Sequence, residues 1–293
     1  MDRATRVARA TLRWLLLAAS ACALQPQSIE HPALQKLQPH RVEHPTLRKL
    51  AVGASVQAAG DVRIRRLSSK PSAFLLENVL TPTDCDRVAE AALASGMRPA
   101  DTVSGDARSR TNCDVAWLAP PGQLSKDVAG LLLSDEARAA PGGGCEDLQI
   151  LRYADGGAYG PHHDTARDAP RALTVLYYLN GVGGTWFPLA DDARDPPRGR
   201  AEALDRAGAL DHRRDGVRVR DPKRGDALAF FNHDRDGGGL DWTAIHSALP
   251  CPGEKWVANH WFHVGGLFAE PVSYTHLRAH ETKANLVCRL LLE

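Results

Sequence analysis

The residues best able to do chemistry stand in "YGPHHDTARD", Tyr159 to Asp168, where two histidines and an aspartate follow a proline. In an extended segment side chains alternate faces, so His162 and Asp164 point one way and His163 the other. A His-X-Asp unit at a strand end therefore offers a metal two ligands from one side. A third has to come from elsewhere, and His246 in "WTAIHSALP" enters another expected strand. Two histidines and one carboxylate on one face of an ion leave the opposite positions open, as in the facial donor set of non-haem Fe(II) centres. Open positions are what a co-substrate and dioxygen both require. Lys255 lies nine residues beyond His246, at the head of "KWVANHWF", where alternation puts Lys255, Val257, Asn259 and Trp261 on one face. A lysine held inward on a strand is costly unless an anion partners it, so the pattern asks for a carboxylate beside the metal. Singly these signals are weak, because His-X-Asp arises by chance, a lone histidine is often structural and a strand-end lysine can snorkel to solvent. Their order and their strand-rich setting give them weight.

The elements that must position these residues begin near Pro71. "AFLLENVL" reads as a strand, and "TPTDCDRVAEAALASG" as a helix with Thr81 as N-cap, Pro82 at its first position, Asp84 in its first turn and Gly96 at its end. A second apolar-periodic segment runs from about Leu124 to Ala139 and stops at "PGGG". Short strands follow: "LQILRY", "ALTVLYYL", "GTWF", "VRV", "ALAFF" and "KWVANHWF", separated by Gly, Pro and Asp clusters. Helices followed by a run of short strands predict an antiparallel sandwich or barrel, mainly β with supporting helices. The charged, turn-rich stretch from Leu189 to Arg224 predicts an exposed loop, either a lid or a solvated insertion without function.

The ends read differently. "MDRATRVARATLRWLLLAASACALQ" has four arginines ahead of an apolar run and closes on small residues, the order of parts in a secretory signal peptide over 1–23. Its apolar run of about a dozen residues is short of the ~20 that a membrane span needs, so no span is expected once the signal is cleaved. A transit peptide and an uncleaved anchor are the alternatives. Residues 24–70 are polar and basic, and "EHPALQKL" at Glu30 recurs as "EHPTLRKL" at Glu43, too few copies for a solenoid. This stretch is expected to be a low-complexity linker. At the other end, "PVSYTHLRAHET" read back into codons resembles a sequencing-library adapter and "LVCRLLLE" the adapter that follows it, so 271–293 is read as a translated artefact and the catalytic domain as 71–270. A natural helical tail is the alternative. Between these ends Cys85, Cys113, Cys145 and Cys251 permit two disulfides behind a signal peptide, in any of three connectivities, and none has zinc-site CxxC spacing. With 36 Lys and Arg against 35 Asp and Glu, the net charge of +1 favours no polyanionic partner, and nucleic acid is not expected.

The pieces "LQILRYADGGAYGPHHD", "RALTVLYYLNGVGGTWFP", "VRDPKRGDALAFFN" and "HSALPCPGEKWVANHWFH", with "RSRTNCDVAWL" upstream, resemble the catalytic domain of prolyl 4-hydroxylases, which are 2-oxoglutarate- and Fe(II)-dependent dioxygenases. The resemblance runs from about Pro71 to Phe268. It implies a double-stranded β-helix, a cupin-like jelly roll. It also implies iron ligation by His162, Asp164 and His246, pairing of Lys255 with the far carboxylate of 2-oxoglutarate, and a cofactor pocket lined by Tyr153, Thr174 and Tyr178. Tyr159, Arg171, Trp261 and His263 match positions around the substrate proline and the reactive oxygen; Tyr and Trp are also ordinary core residues. The histidine at 163 departs from the aromatic that the family often has there, which leaves a register shift or an extra metal contact open.

Three readings follow. The first is a peptidyl-proline 4-hydroxylase of the secretory pathway, in the endoplasmic reticulum lumen, acting on proline-rich or collagen-like chains with O2, Fe(II), 2-oxoglutarate and ascorbate as reductant. The second is the same chemistry on another substrate, since proline recognition lives in loops that these motifs do not fix. The third is a non-catalytic jelly-roll binding module with a vestigial pocket.

Overall fold

The computed structural model describes residues 41–100, 110–165, 171–191, 196–235 and 239–267. The expected signal peptide, the first "EHPALQKL" unit and residues 271–293 lie outside these. In chain order the elements are α1 (Pro45–Arg48), β1 (Ser55–Gln57), β2 (Arg63–Ser68), β3 (Ala73–Glu77), α2 (Pro82–Ala94), β4 (Arg98–Pro99), β5 (Arg110–Leu118), α3 (Gly122–Leu132), α4 (Asp135–Ala139) and β6 (Gly144–Cys145). There follow β7 (Leu148–His162), β8 (Leu173–Tyr178), β9 (Thr185–Phe187), α5 (Arg200–Gly208), β10 (Val217–Val219), β11 (Ala227–Phe231), a 3₁₀ turn (Trp242–Ala244), β12 (His246–Ala248) and β13 (Lys255–His263).

Every strand pairing is antiparallel, in the order β1-β2-β3-β11-β8-β13-β7-β12-β9-β10, with β5 on the far side of β7. The long β7 belongs to two layers. Its first half pairs with β13 and its last residues pair with β12, so the sheet curls over as a half-barrel, the jelly roll expected from the sequence. Alternation sorts the side chains. Phe74, Ile150, Val175, Tyr177, Ala229, Trp256, Ala258 and Phe262 face outward onto the helices. Leu75, Leu151, Tyr153, Leu176, Tyr178, Phe187, Leu228, Phe230 and Val257 face inward, into the barrel that holds the site.

The helices brace the outer face. In α2 the Thr81 hydroxyl accepts from Asp84 N at 3.2 Å while the Asp84 carboxylate accepts from Thr81 N at 3.3 Å, a closed capping box. Cys85, Val88 and Ala92 form its buried stripe, and the chain leaves through Gly96 in the left-handed region. The segment from Leu124 to Ala139 is two helices, because Leu133 is extended and Ser134 caps α4 afresh, accepting from Ala137 N at 3.0 Å.

Three expectations need correction. Residues 41–70 are not a linker: β2 joins β3 in the sheet, Val42, Leu47 and Ile64 are buried, and Arg66 turns inward to Ser72, to the carbonyls of Leu47 and Ser68 and to Glu43. The stretch Leu189 to Arg224 is not a plain loop, since α5 docks through Ala203 and Ala207 against Leu189 and Ile245, and β10 pairs with β9. The disulfides that the composition permits are not formed: Cys85, Cys113, Cys145 and Cys251 are all free, each on a different element or loop. No helix among the described residues is long and apolar enough to cross a membrane.

Candidate active site

His162 ends β7 and His246 begins β12, and the two are direct partners across that ladder. Their rings lie 4.2 Å apart, centroid to centroid. Asp164, two residues past the strand, brings its carboxylate to 3.6 Å from His162 Nε2 and 3.8 Å from His246 Nε2. The three ligand atoms all fall within 4.8 Å of one another, the spacing at which one ion can be held. His163 points away, its Nε2 facing the Asp241 carbonyl at 3.1 Å and its ring against Trp242, so the alternation read from the sequence holds and His163 is no ligand.

Both imidazoles are aimed by their other nitrogen. His162 Nδ1 meets the Gly160 carbonyl at 2.9 Å and His246 Nδ1 the Ala244 carbonyl at 3.0 Å. Each Nδ1–H donates to a carbonyl, which leaves both Nε2 lone pairs for a metal. Burial and then the neighbouring His246 push the His162 pKa well below its ordinary value. Burial alone would raise the Asp164 pKa, but His246, His162 and Arg171 outweigh it and hold the carboxyl well below the usual range. Two neutral imidazoles and one carboxylate are a donor set that fits Fe(II). Aromatic walls close round them: Tyr159 stacks on His162 at 3.7 Å, and Phe187 and Phe230 flank His246 at 5.7 and 4.7 Å. Arg110 in turn covers the outer face of the Tyr159 ring at 4.0 Å.

Inside the barrel, Cys113, Tyr153 and Lys255 form one row across β5, β7 and β13. Lys255 is 1% exposed. Its Nζ donates to the Gly184 carbonyl at 3.1 Å and lies 5.6 Å from the centre of the Tyr153 ring. Burial lowers its pKa to about 8, and the groups among the described residues that act against this are the thiols of Cys251 and Cys113, with no carboxylate. A buried ammonium with a single acceptor is costly unless an anion joins it. Gly183 makes room for it: at φ +80° a Cβ there would stand 2.7 Å from Lys255 Cδ. Tyr178 is on the same inner face, its hydroxyl 3.0 Å from Thr185 Oγ1. Thr174 is also present, but its hydroxyl is spent on Asp164 Oδ2 at 2.7 Å, so it attaches to the metal-ligand carboxylate.

The mouth of the site is a cluster built on Glu146. Its carboxylate accepts from Arg171 at 2.7 and 2.8 Å and from His263 Nε2 at 3.0 Å. Arg171 also donates to the Asp164 carbonyl at 3.3 Å and lies 3.5 Å over the Trp261 ring, while Trp261 Nε1 donates to Asp164 Oδ2 at 3.2 Å. Burial opposes ionisation of Glu146, yet the bonds from Arg171 and His263 lower its pKa to about 2. The residues expected from the sequence thus lie on the inner face of the barrel or in the Glu146 cluster, which joins it through Asp164. Those not foreseen are Glu146, Gly183, Arg110 and Asn232. Glu146 left one faint signal, as half of the acidic pair Glu146-Asp147 just ahead of an apolar strand, in a chain that had already offered Arg171 and His263 without a counter-charge.

Residues 148–263 match the family model described as "2OG-Fe(II) oxygenase superfamily". The chain is 34% identical over 219 residues, 69% of this chain and 70% of the relative, to probable prolyl 4-hydroxylase 4 of Arabidopsis thaliana. It is 33% identical over 218 residues to prolyl 4-hydroxylase 2 of the same plant, again covering 69% and 70% of the two chains. Among solved structures it is similar to the viral collagen prolyl hydroxylase of Paramecium bursaria Chlorella virus-1, at 21% identity and a TM-score of 0.45 over 67% of this chain and 98% of that one.

Proposed function

This chain belongs to the 2-oxoglutarate- and Fe(II)-dependent dioxygenases, closely related to the prolyl 4-hydroxylases, and on that premise we propose that it hydroxylates peptidyl proline at C4. The observation that carries the reading is the pairing of an intact His162–Asp164–His246 donor set with Lys255, a buried ammonium that lacks a carboxylate. When bound, the iron and 2-oxoglutarate supply the oxidation: O2 and 2-oxoglutarate become succinate and CO2, and one oxygen atom enters a substrate C–H bond as hydroxyl.

The chain's own residues do the rest. His162, Asp164 and His246 hold the metal on one face and keep its other face accessible. Lys255 binds the far carboxylate of 2-oxoglutarate, with Tyr153 and Tyr178 walling the same inner face. Leu151, Val257, Phe187 and Phe230 keep that chamber dry, which strengthens the ion pair and limits wasteful oxidation. Tyr159, Arg171, Trp261 and His263 stand around the position of the substrate proline, and Glu146 fixes the last three as a unit. Aromatic rings beside a fixed guanidinium suit a proline-rich chain, whose extended helix costs little entropy to bind. Ascorbate as reductant and the endoplasmic reticulum lumen complete the proposal. The arginine-rich, apolar start of the chain supports that compartment, and the four free cysteines count against it.

The test is mass spectrometry of a proline-rich peptide and of a collagen-like peptide after incubation with the protein, Fe(II), 2-oxoglutarate, ascorbate and air. Hydroxyproline in either supports the proposal and ranks the two substrates. Succinate formation with both peptides unmodified would keep the dioxygenase and reject peptidyl proline.

A further inference from the structure

Asp164 is steered by a line of donors that starts on a residue with no other evident task. Asn232 follows β11, is fully buried, and sends its side-chain N–H to Thr174 Oγ1 at 2.9 Å. The Thr174 hydroxyl carries a single proton, and with Asn232 donating to its oxygen that proton is directed to Asp164 Oδ2 at 2.7 Å. Trp261 Nε1 supplies a second donor to the same oxygen at 3.2 Å. Two donors thereby fix Oδ2, and with it the turn of the carboxylate that sets Oδ1 3.6 Å from His162 Nε2 and Oδ2 3.8 Å from His246 Nε2.

The other end of the amide supports the direction of this relay. Asn232 Oδ1 is buried and has no hydrogen-bond partner among the described residues. Turning the amide over would let Oδ1 accept the Thr174 proton, but it would leave the amide N–H unpaired in its place and Asp164 would lose that donor. A buried carbonyl left unpaired is costly. The arrangement is favoured because a charge-assisted bond to a carboxylate is stronger than a neutral one. The Asn232 backbone is pinned on both sides, its N–H to the Ala172 carbonyl at 2.9 Å and its carbonyl to Asp241 N at 3.0 Å, so the amide is presented from a rigid position.

We propose that Asn232 is a positioning residue for the metal centre, acting through Thr174 to orient the Asp164 carboxylate. This rests on the reading of His162, Asp164 and His246 as the metal site. The probe is Co(II) alone, titrated into metal-free protein and followed by its visible absorption, with thermal unfolding measured on every variant. Asn232→Ala is expected to weaken Co(II) binding by about 10- to 100-fold, the usual cost of losing a residue that orients a metal ligand. Asn232→Asp should do at least as much harm, because its carboxylate would take the Thr174 proton for itself. Thr174→Val should match Asn232→Ala, and the double variant should lose no more than either single one. Thr174→Ser, which keeps the hydroxyl, should bind Co(II) nearly as the wild type does. Unchanged Co(II) affinity in Asn232→Ala, or losses that add in the double variant, would overturn the relay even where melting temperatures fall. Should Asn232→Ala not fold, the Thr174→Val and Thr174→Ser pair decides, and equal affinity in those two overturns the proposal. Failure of the wild type to take up Co(II) would remove the metal-centre reading and the relay with it.

Discussion

Replacing Lys255 with methionine should move stability and co-substrate binding in opposite directions. The side chain is 1% exposed, and its pKa falls from the ordinary 10.5 to about 8 because burial penalises the charged form. That fall corresponds to roughly 3 kcal/mol of penalty carried by the free protein wherever the lysine is charged in both states. The penalty is complete below pH 8, is relieved as pH rises from 8 to 10.5, and is absent above that. Met fills similar volume without a charge, so at pH 7 Lys255→Met should stabilise the free protein by up to about 3 kcal/mol. For a domain of this size that is a rise in melting temperature of roughly 6–12 °C. The same change leaves the far carboxylate of 2-oxoglutarate buried and unpaired, which costs about 3 kcal/mol and should raise its KM by ~100-fold. Thermal unfolding at pH 7 and 10 and succinate formation against 2-oxoglutarate concentration measure the two effects. A variant less stable than the wild type at pH 7, or one with an unchanged KM, would refute the assignment of Lys255 as an unpartnered cation awaiting an anion.

Three further outcomes follow from the same geometry. The 2-oxoglutarate affinity of the wild type should fall as pH rises above about 8, and calorimetry in buffers of different ionisation enthalpy should show proton uptake on binding there. Glu146→Gln should cost about 2 kcal/mol of stability at pH 7 and raise the peptide KM while succinate formation without peptide persists; since the Glu146 pKa is about 2, its contribution is complete above the ordinary carboxyl range and lost as pH falls towards 2, so the variant should show a shallower acid limb in its stability profile. Gly183→Ala should raise the 2-oxoglutarate KM about tenfold or more, because its Cβ at φ +80° meets Lys255 Cδ at 2.7 Å, and kinetics alongside thermal unfolding will separate displacement of the lysine from backbone strain.

The metal ligands were legible because their information is local and periodic. His-X-Asp needs only alternation along one strand end, and Lys255 needs only the face shared with Val257 and Trp261. Glu146 was not legible, since its meaning lies in partners 25 and 117 residues away, which a single strand pattern does not join. Thr174 was located, but its bond to Asp164 was not legible, because a hydroxyl on an inward face suits a cofactor or a ligand carboxylate equally until distances exist. In the fold, β2 hid behind its arginines: "RIRRLS" reads as basic and polar, yet Ile64 and Arg66 are both buried on the face shared with Phe74, Arg66 over its ring and beside Glu43. The helix α5 hid for the opposite reason, as its buried stripe is only Ala203 and Ala207 among charges. Small residues carry little hydrophobic signal even when they set a close contact.

The measurement that tests the central claim most directly is the ratio of succinate to hydroxyproline formed on a proline-rich peptide, in the wild type and in Asp164→Ala. A coupled dioxygenase should give one succinate per hydroxyproline, and the variant, without its carboxylate ligand, should give neither. Hydroxyproline from Asp164→Ala, or no succinate from iron-loaded wild type, would contradict the assignment of His162, Asp164 and His246 as the centre where the chemistry occurs.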